Sequence, residues 1–429
     1  MKRRAFIQKS AATASVFSIV PSHVLGFSGV APNDKIQLGF IGVGKQGRGL
    51  MTNFVNYDAA AVTAVSDVDV DKMSLFSEAF SKVLAKKKKP SQKLSEMTSY
   101  RELLSRKDID AVVIASPDHW HAQMAVDAAK AGKDIYCEKP LSASVAEGRA
   151  MVDAARKYQR VFQTGSMQRS WDRFRHGVEL IRNGYIGEIK EIKVAIGAPY
   201  KSCDLPTQAA PANIDWNAWI GPAPYRGYHE DLACPIGDKR WGMWRDYYPF
   251  GGGMVTDWGA HMFDIVQWAL DQDHTGPVQF TPPSSPSESG LVYTYENGIK
   301  VTHTKWGESN NEIQIIGTKG RLEISRGYLK TYPDASLADK PIETPNTKRV
   351  YHSKNHHEDW LQAIRDRTRP ICDVEIGHRT ASVCNVANIA YALQRPLKWN
   401  PVREQFVDDP GANLMLDRPY RAPYNYRDF

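Results

Sequence analysis

The first 33 of the 429 residues contain no aspartate or glutamate, only Lys2, Arg3, Arg4 and Lys9 as charged groups. Cysteine is sparse: five residues, at 137, 203, 234, 372 and 384, none in a Cys-x-x-Cys pair. This excludes zinc ribbons and thioredoxin-type redox motifs, and an odd count leaves at least one thiol unpaired within a monomer. No apolar run is long enough to cross about 30 Å of hydrocarbon as a helix. Ala11–Phe27, the best of them, is broken by Pro21 and His23. No internal repeat is present. Hydrophobic residues at 42% and charged residues at 24% exclude disordered, collagenous and disulfide-scaffold classes.

A net charge of +7 invites a nucleic-acid or membrane-surface reading, but its placement argues otherwise. The first 33 residues hold four of the positive charges, which leaves 51 Lys and Arg against 48 Asp and Glu beyond them. The run Lys86–Lys89 before Pro90 alone exceeds that surplus, and it reads as a solvated loop. Neither a nucleic-acid partner nor a membrane span is expected. The basic start followed by a short apolar stretch reads as an export leader over residues 1–33, and Arg3-Arg4-Ala5-Phe6-Ile7 resembles a twin-arginine signal. A periplasmic location follows if that leader functions, and a cytoplasmic one if it does not.

Residues 34–165 alternate short apolar strands with helical segments. The strands are 36–41, 61–66, 111–115, 135–137 and 161–164, an order that predicts a parallel doubly wound α/β sheet. Beyond residue 185 the pattern changes. Hairpins form around Asn297-Gly298 and between 313–316 and 321–324, with helices at 257–270, 356–367 and 377–394. A second, mainly antiparallel α+β unit over 166–400 is expected, with 401–429 as a C-terminal extension.

The first strand runs directly into Gly42-Val43-Gly44-Lys45-Gln46-Gly47, and Asp67 ends the next strand. Gly42 permits the tight turn, Gly44 lets a pyrophosphate approach the backbone, and Gly47 lets helix and strand pack closely. Asp67 suits ribose hydroxyls and opposes a 2′-phosphate. With Asp69 and Asp71 nearby and no adjacent arginine, NAD is favoured over NADP.

Two further stretches end apolar strands: Ser116-Pro117-Asp118-His119-Trp120-His121 and Glu138-Lys139-Pro140. With the glycine fingerprint, in this order and spacing, they resemble the glucose–fructose oxidoreductase/inositol dehydrogenase/rhizopine-catabolism (Gfo/Idh/MocA) family over roughly residues 36–400. The resemblance implies a Rossmann domain, an oxidoreductase acting on a secondary hydroxyl of a sugar or glycoside, and a homo-oligomer, dimer or tetramer. It implies that Ser116, His121, Glu138 and Lys139 attend the cofactor, that Lys139 also reaches the reacting hydroxyl, and that a cis bond precedes Pro140. Without the resemblance, Lys139 is equally well a solvated lysine.

Asp257, His261, Asp264 and Trp268 recur at helical spacing in one stripe, among Met254, Val255, Trp258, Met262, Phe263, Ile265 and Val266. A histidine with a carboxylate one turn away suits a general base, and a core His–Asp hydrogen bond is the alternative. The Asp-x-x-x-His pair of polyol-oxidising relatives maps onto Asp257 and His261. The expected division of labour is His261 as base, Lys139 stabilising the alkoxide and Asp257 orienting His261. Nine aromatics lie within 213–250, and either sugar stacking or packing accounts for them. Trp244, Arg245, Arg169 and Asp264 are the candidate substrate contacts. His119-x-His121 and His356-His357-Glu358 complete no metal-ligand set, and no metal is expected.

Two rival functions share these residues. In one, a glycoside hydrolase works by transient oxidation, elimination and re-reduction, although the His-Gly-Leu-Gly-Pro stretch of that branch is absent. In the other, a non-catalytic sensor keeps the dinucleotide fold.

Overall fold

A computed structural model describes residues 34–237, 240–342 and 346–429. The expected export leader lies outside these residues. The first unit begins with β1 (Ile36–Ile41), α1 (Lys45–Phe54), β2 (Ala60–Ser66) and α2 (Val70–Lys86). It continues through β3 (Ser95–Met97), β4 (Ala111–Ile114), α3 (His121–Lys130), β5 (Asp134–Cys137), α4 (Val145–Lys157) and β6 (Phe162–Thr164). The six strands form one sheet in the order β3-β2-β1-β4-β5-β6, every pairing parallel.

Strand periodicity explains the double winding. Leu38, Phe40, Val113 and Tyr136 face one apolar cluster with Phe54, Phe76 and Trp360. Their neighbours Ile41, Val112, Ile114, Ile135 and Cys137 face the other, with Met124, Met151 and Phe162. Successive side chains point to opposite faces, so a strand covered on both sides must be apolar at every position. The order reverses between β1 and β4, which opens a crevice at the carboxyl ends of the strands.

The second unit starts with α5 (Asp172–Arg182) and β7 (Ile189–Ala195), then two short paired segments, β8 (Lys201–Ser202) and β9 (Tyr247–Tyr248). Helices α6 (Gly253–Asp257) and α7 (Gly259–Ala269) follow, then β10 (Gln279–Thr281), β11 (Val292–Thr294), β12 (Lys300–His303) and β13 (Glu312–Gly317). The remaining strands are β14 (Arg321–Ser325), β15 (Leu329–Tyr332), β16 (Leu397–Asn400) and β17 (Gln405–Phe406), with the long helix α8 (Val374–Leu393) before β16. Nine strands make one sheet, β15-β14-β13-β7-β12-β11-β10-β16-β17, antiparallel except for β7 beside β12. Both expected hairpins form: Tyr293 pairs with Val301 across Asn297-Gly298, and Ile313 with Ile324. Gly298 takes a φ of +82°, the left-handed conformation such a turn needs.

Three expectations change. The helix expected over 257–270 is two helices interrupted at Trp258, so Asp257 and His261 do not share one continuous stripe. The 401–429 extension is not separate from the two units: Gln405–Phe406 joins the second sheet, Arg421 donates to the Gly221 carbonyl of the second unit, and the Tyr420 hydroxyl donates to Glu147 of the first. Arg169 and Asp264, taken as substrate contacts, are each about 1% exposed and paired with one another.

The Arg169 guanidinium makes two-pronged contacts of 2.8 Å to both Asp264 and Asp273, and lies over the Trp268 ring. Thr380 of α8 donates to the same Asp264 carboxylate. Two carboxylates engage the fork within the core, so the pair braces α7 against the segment after β6. Removing one partner of such a pair strands a buried charge, which costs about 3–5 kcal/mol. Arg169→Met is expected to lower stability by about that amount, read as an earlier denaturant midpoint. An unchanged midpoint contradicts the brace.

Candidate active site

The glycine loop between β1 and α1 shows how the crevice is shaped. Gly42 has a φ of +82°, and a Cβ there would meet the Ser116 nitrogen at 2.6 Å. At Gly47 a Cβ would strike the Gly42 carbonyl oxygen at 2.5 Å, so helix and strand touch there. At Gly44 a Cβ would meet nothing within 4 Å, because the backbone faces open space. Gly44 also caps α1 without a side-chain partner, leaving the first-turn N–H groups to whatever fills the crevice. Next to this loop the buried Ser116 hydroxyl has no partner. An open glycine cradle, unused helix-terminal donors and an orphaned hydroxyl fit a dinucleotide.

The Asp67 carboxylate accepts from the Val43 N–H at 2.8 Å and the Asp69 N–H at 3.0 Å, tying the loop to the end of β2. Burial raises its pKa, opposed by Lys72. The local sequence holds no arginine, but the fold brings Arg48 of α1 into electrostatic reach of Asp67, while Lys72 pairs with Asp69 at 3.1 Å.

The resulting cavity has a volume of about 660 Å³, within the range of small-molecule sites. Gly42, Gly44, Asp67 and Ser116 line one side. The far wall is the segment 212–245, including Ile214, Trp219, Trp244 and Arg245. This segment adheres to the end of β2, where Val70 N–H donates to the Asn213 carbonyl, Asp215 N–H to the Val68 carbonyl, and Asn213 to Asp69. Trp216, Trp219, Tyr228, Trp244 and Phe250 bury together beneath it, so most of the aromatic-rich segment packs as a cover. Tyr225 and Trp241 are exceptions, at 66% and 54% exposed.

His121 does not line the cavity. Its ring nitrogens lie 2.9 Å from the Pro140 carbonyl and 3.0 Å from that of Ser116, so it joins the loops after β4 and β5 from behind. Burial lowers its pKa to about 4, so the ring is neutral and donates from one nitrogen. His119 is held likewise against the Trp219 carbonyl, its pKa lowered by burial to about 3. Among the described residues no group of three or more His, Cys, Asp or Glu is arranged to hold a metal ion.

Beyond the cavity lies the charged cluster at the end of β5. The Lys139 ammonium donates to Asp257 Oδ1 at 2.6 Å and to the Asp257 carbonyl at 3.1 Å. Arg245, which does line the cavity, approaches the same carboxylate at 3.6 Å. Burial raises the Asp257 pKa, but Lys139 and Arg245 outweigh it and keep the carboxylate below its usual range. Glu138 accepts from Gln46 of the glycine fingerprint at 2.8 Å and from the Lys139 N–H at 3.3 Å, linking both motifs. The Lys139–Pro140 bond is cis.

His261 stands differently from the expectation. Asp257 is committed to Lys139 and does not hydrogen-bond to His261, whose Nδ1 is buried without a partner. Burial lowers its pKa well below the usual imidazole value, reinforced by Lys139, Arg326 and His356. The ring is therefore neutral at physiological pH. Asp118 has no role assigned from the sequence, although it sits inside the Ser-Pro-Asp-His stretch. Burial pushes its carboxyl up to about 8, against Arg245 and with the repulsion of Asp257. Gln46 and Arg326 are likewise unassigned in the sequence; Arg326 reaches the site from the turn after β14, where the local pattern carries no signal.

Residues 36–166 match the family model for an oxidoreductase family, NAD-binding Rossmann fold, and residues 199–426 match its C-terminal alpha/beta domain. The uncharacterized oxidoreductase YrbE of Bacillus subtilis is 26% identical over 85% of this chain and 96% of its own. An alpha-N-acetylgalactosaminidase of Shewanella oneidensis is 33% identical, but over only 35% of this chain and 33% of its own. The fold also matches a levoglucosan dehydrogenase solved with NADH, at a TM-score of 0.56 and 18% identity over 85% and 99% of the two chains. The chain is a member of the Gfo/Idh/MocA family of NAD-binding oxidoreductases, to which its glycine cradle, crevice and second sheet all conform.

Proposed function

We propose that the protein oxidises a secondary hydroxyl of a sugar or glycoside, using NAD that stays bound and is recycled in place by returning the hydride to the carbonyl of a second sugar. The observation carrying this reading is the Lys139–Asp257 pair at the end of β5, joined through Arg245 to the cavity and flanked by a neutral His261. A hydroxyl must lose its proton as its carbon gives up a hydride, and NAD supplies the hydride acceptor when bound. The cavity residues Gly42, Gly44, Asp67 and Ser116 hold it. His261 takes the hydroxyl proton on an unprotonated ring nitrogen. Lys139 sets its ammonium charge against the developing alkoxide, and Asp257 fixes that ammonium in place. The cover formed by 212–245 supports retention, because cofactor release requires its contacts with β2 to open. Export through a leader in residues 1–33, assembly as a dimer or tetramer, and the C3 hydroxyl as target belong to the same proposal.

The hydrolase reading rests on the acetylgalactosaminidase likeness, which covers only a third of either chain. It uses the same first oxidation and differs in releasing an aglycone.

Three outcomes test the proposal. Asp67→Ala removes the carboxylate anchoring the glycine loop, and NAD affinity measured by fluorescence titration is expected to fall about tenfold or more. Unaltered affinity counts against the cofactor assignment. Lys139→Met and His261→Ala are each expected to lower the rate of glycoside oxidation by about 10²–10⁴-fold. Retention of most of the rate in either variant removes that residue from the chemistry.

The pH profile gives the third. A base works only when unprotonated, and His261 is held below its ordinary pKa, so activity should persist below pH 6.5. On the alkaline side Asp118 ionises near pH 8, placing a second carboxylate beside Lys139 and opposing alkoxide formation. Activity is expected to decline above about pH 8 and to lose that limb in Asp118→Asn. An alkaline limb that survives the substitution assigns it to another group.

A further inference from the structure

Most arginines of the described chain are closed by carboxylates: Arg149 by Glu375 and Glu404, Arg156 by Asp373, Arg169 by Asp264 and Asp273, Arg367 by Asp134. Arg326 is not. It projects from the turn between β14 and β15, with its Nε donating to Gln168 Oε1 at 2.8 Å. Its guanidinium lies over two indoles, 4.6 Å from the centre of Trp258 and 5.5 Å from that of Trp171. These contacts fix the plane of the fork and leave both terminal nitrogens without a partner among the described residues. The Gln168 amide nitrogen beside it is also buried and unpartnered, in a residue 1% exposed.

The position matters more than the charge alone. Gln168 follows β6, the strand next to β5, whose end carries Lys139. Trp258 contacts Arg326 on one side and His261 on the other, the latter at 5.4 Å between ring centres. Arg326 lies within electrostatic reach of His261, Asp257 and Glu138, so it borders the site. A planar fork held by stacking and with two free N–H edges is matched by a carboxylate, which accepts two parallel hydrogen bonds. With Glu138 and Asp257 close to Arg326, one arginine suits a singly charged group better than a phosphate.

We propose that Arg326 is a specificity-determining residue that binds a carboxylate on the substrate, so that uronic acids and uronides are favoured over neutral sugars. This rests on the sugar-oxidoreductase reading for the reaction itself, but binding can be measured apart from turnover. Isothermal titration of the NAD-loaded full chain would compare methyl glucuronide with methyl glucoside, methyl galacturonide with methyl galactoside, and glucose 6-phosphate. At least one uronide should bind about tenfold or more tightly than its neutral counterpart. Arg326→Gln should bring that ratio close to one, and Arg326→Lys, which keeps the charge but not the fork, should retain part of it. The ratio is the readout, so a general loss of folded protein does not mimic the effect. Equal or tighter binding of the neutral sugars, a preference that survives Arg326→Gln, tightest binding of the phosphate, or no binding of either uronide overturns the assignment. A protein that binds uronides through Arg326 and oxidises none of the sugars sinks the oxidoreductase reading and leaves this one standing.

Discussion

The site depends on one ion pair. Lys139 stands at the end of a parallel strand and Asp257 at the end of a short helix 118 residues later, and they meet at 2.6 Å. Both are largely shielded, with side chains 16% and 15% exposed, and each lies against the other's opposite charge. Around this contact the two units are held in register: Glu138 links the lysine to the glycine loop through Gln46, and Arg245 links the aspartate to the cavity wall. Loss of either charge strands the other.

The rest of the electrostatics follows from burial. His261, His121 and His119 are all pushed towards the neutral form, and Asp118 towards its protonated form. Asp257 is held below its usual range, because two cations converge on it. A site with one fixed anion, one fixed ammonium and a neutral imidazole can accept a proton and stabilise a nascent alkoxide without first rearranging its charges. Backbone contacts to the end of β2 hold the segment after Ala212 against the dinucleotide crevice.

Much of this was legible in the sequence, for identifiable reasons. Strands buried on both faces are apolar throughout, and Asn-Gly specifies its hairpin, so both sheets were visible. The glycine spacing and Asp67 were visible because backbone geometry there tolerates few alternatives. The errors arose where tertiary contacts decide. Helical spacing placed Asp257, His261, Asp264 and Trp268 on one stripe, but the interruption at Trp258 turns Asp257 to Lys139, while Asp264 turns to Arg169. Arg169 had the right chemistry for a ligand and proved closed by two carboxylates. Arg326 had an unremarkable local sequence, and its place beside Trp258 comes from the fold of the second sheet. Whether an arginine is engaged or open is a property of its partners, and partners far along the chain leave no mark on local pattern.

The central claim is that this cluster carries a hydroxyl oxidation with bound cofactor. The most direct measurement incubates the purified protein, without added nucleotide, with neutral and acidic glycosides, following absorbance at 340 nm and products by mass spectrometry. The account predicts a keto-sugar two mass units lighter than its substrate. Aglycone released with no keto-sugar and no net reduction of cofactor, or no conversion of any glycoside even with excess NAD, would contradict it.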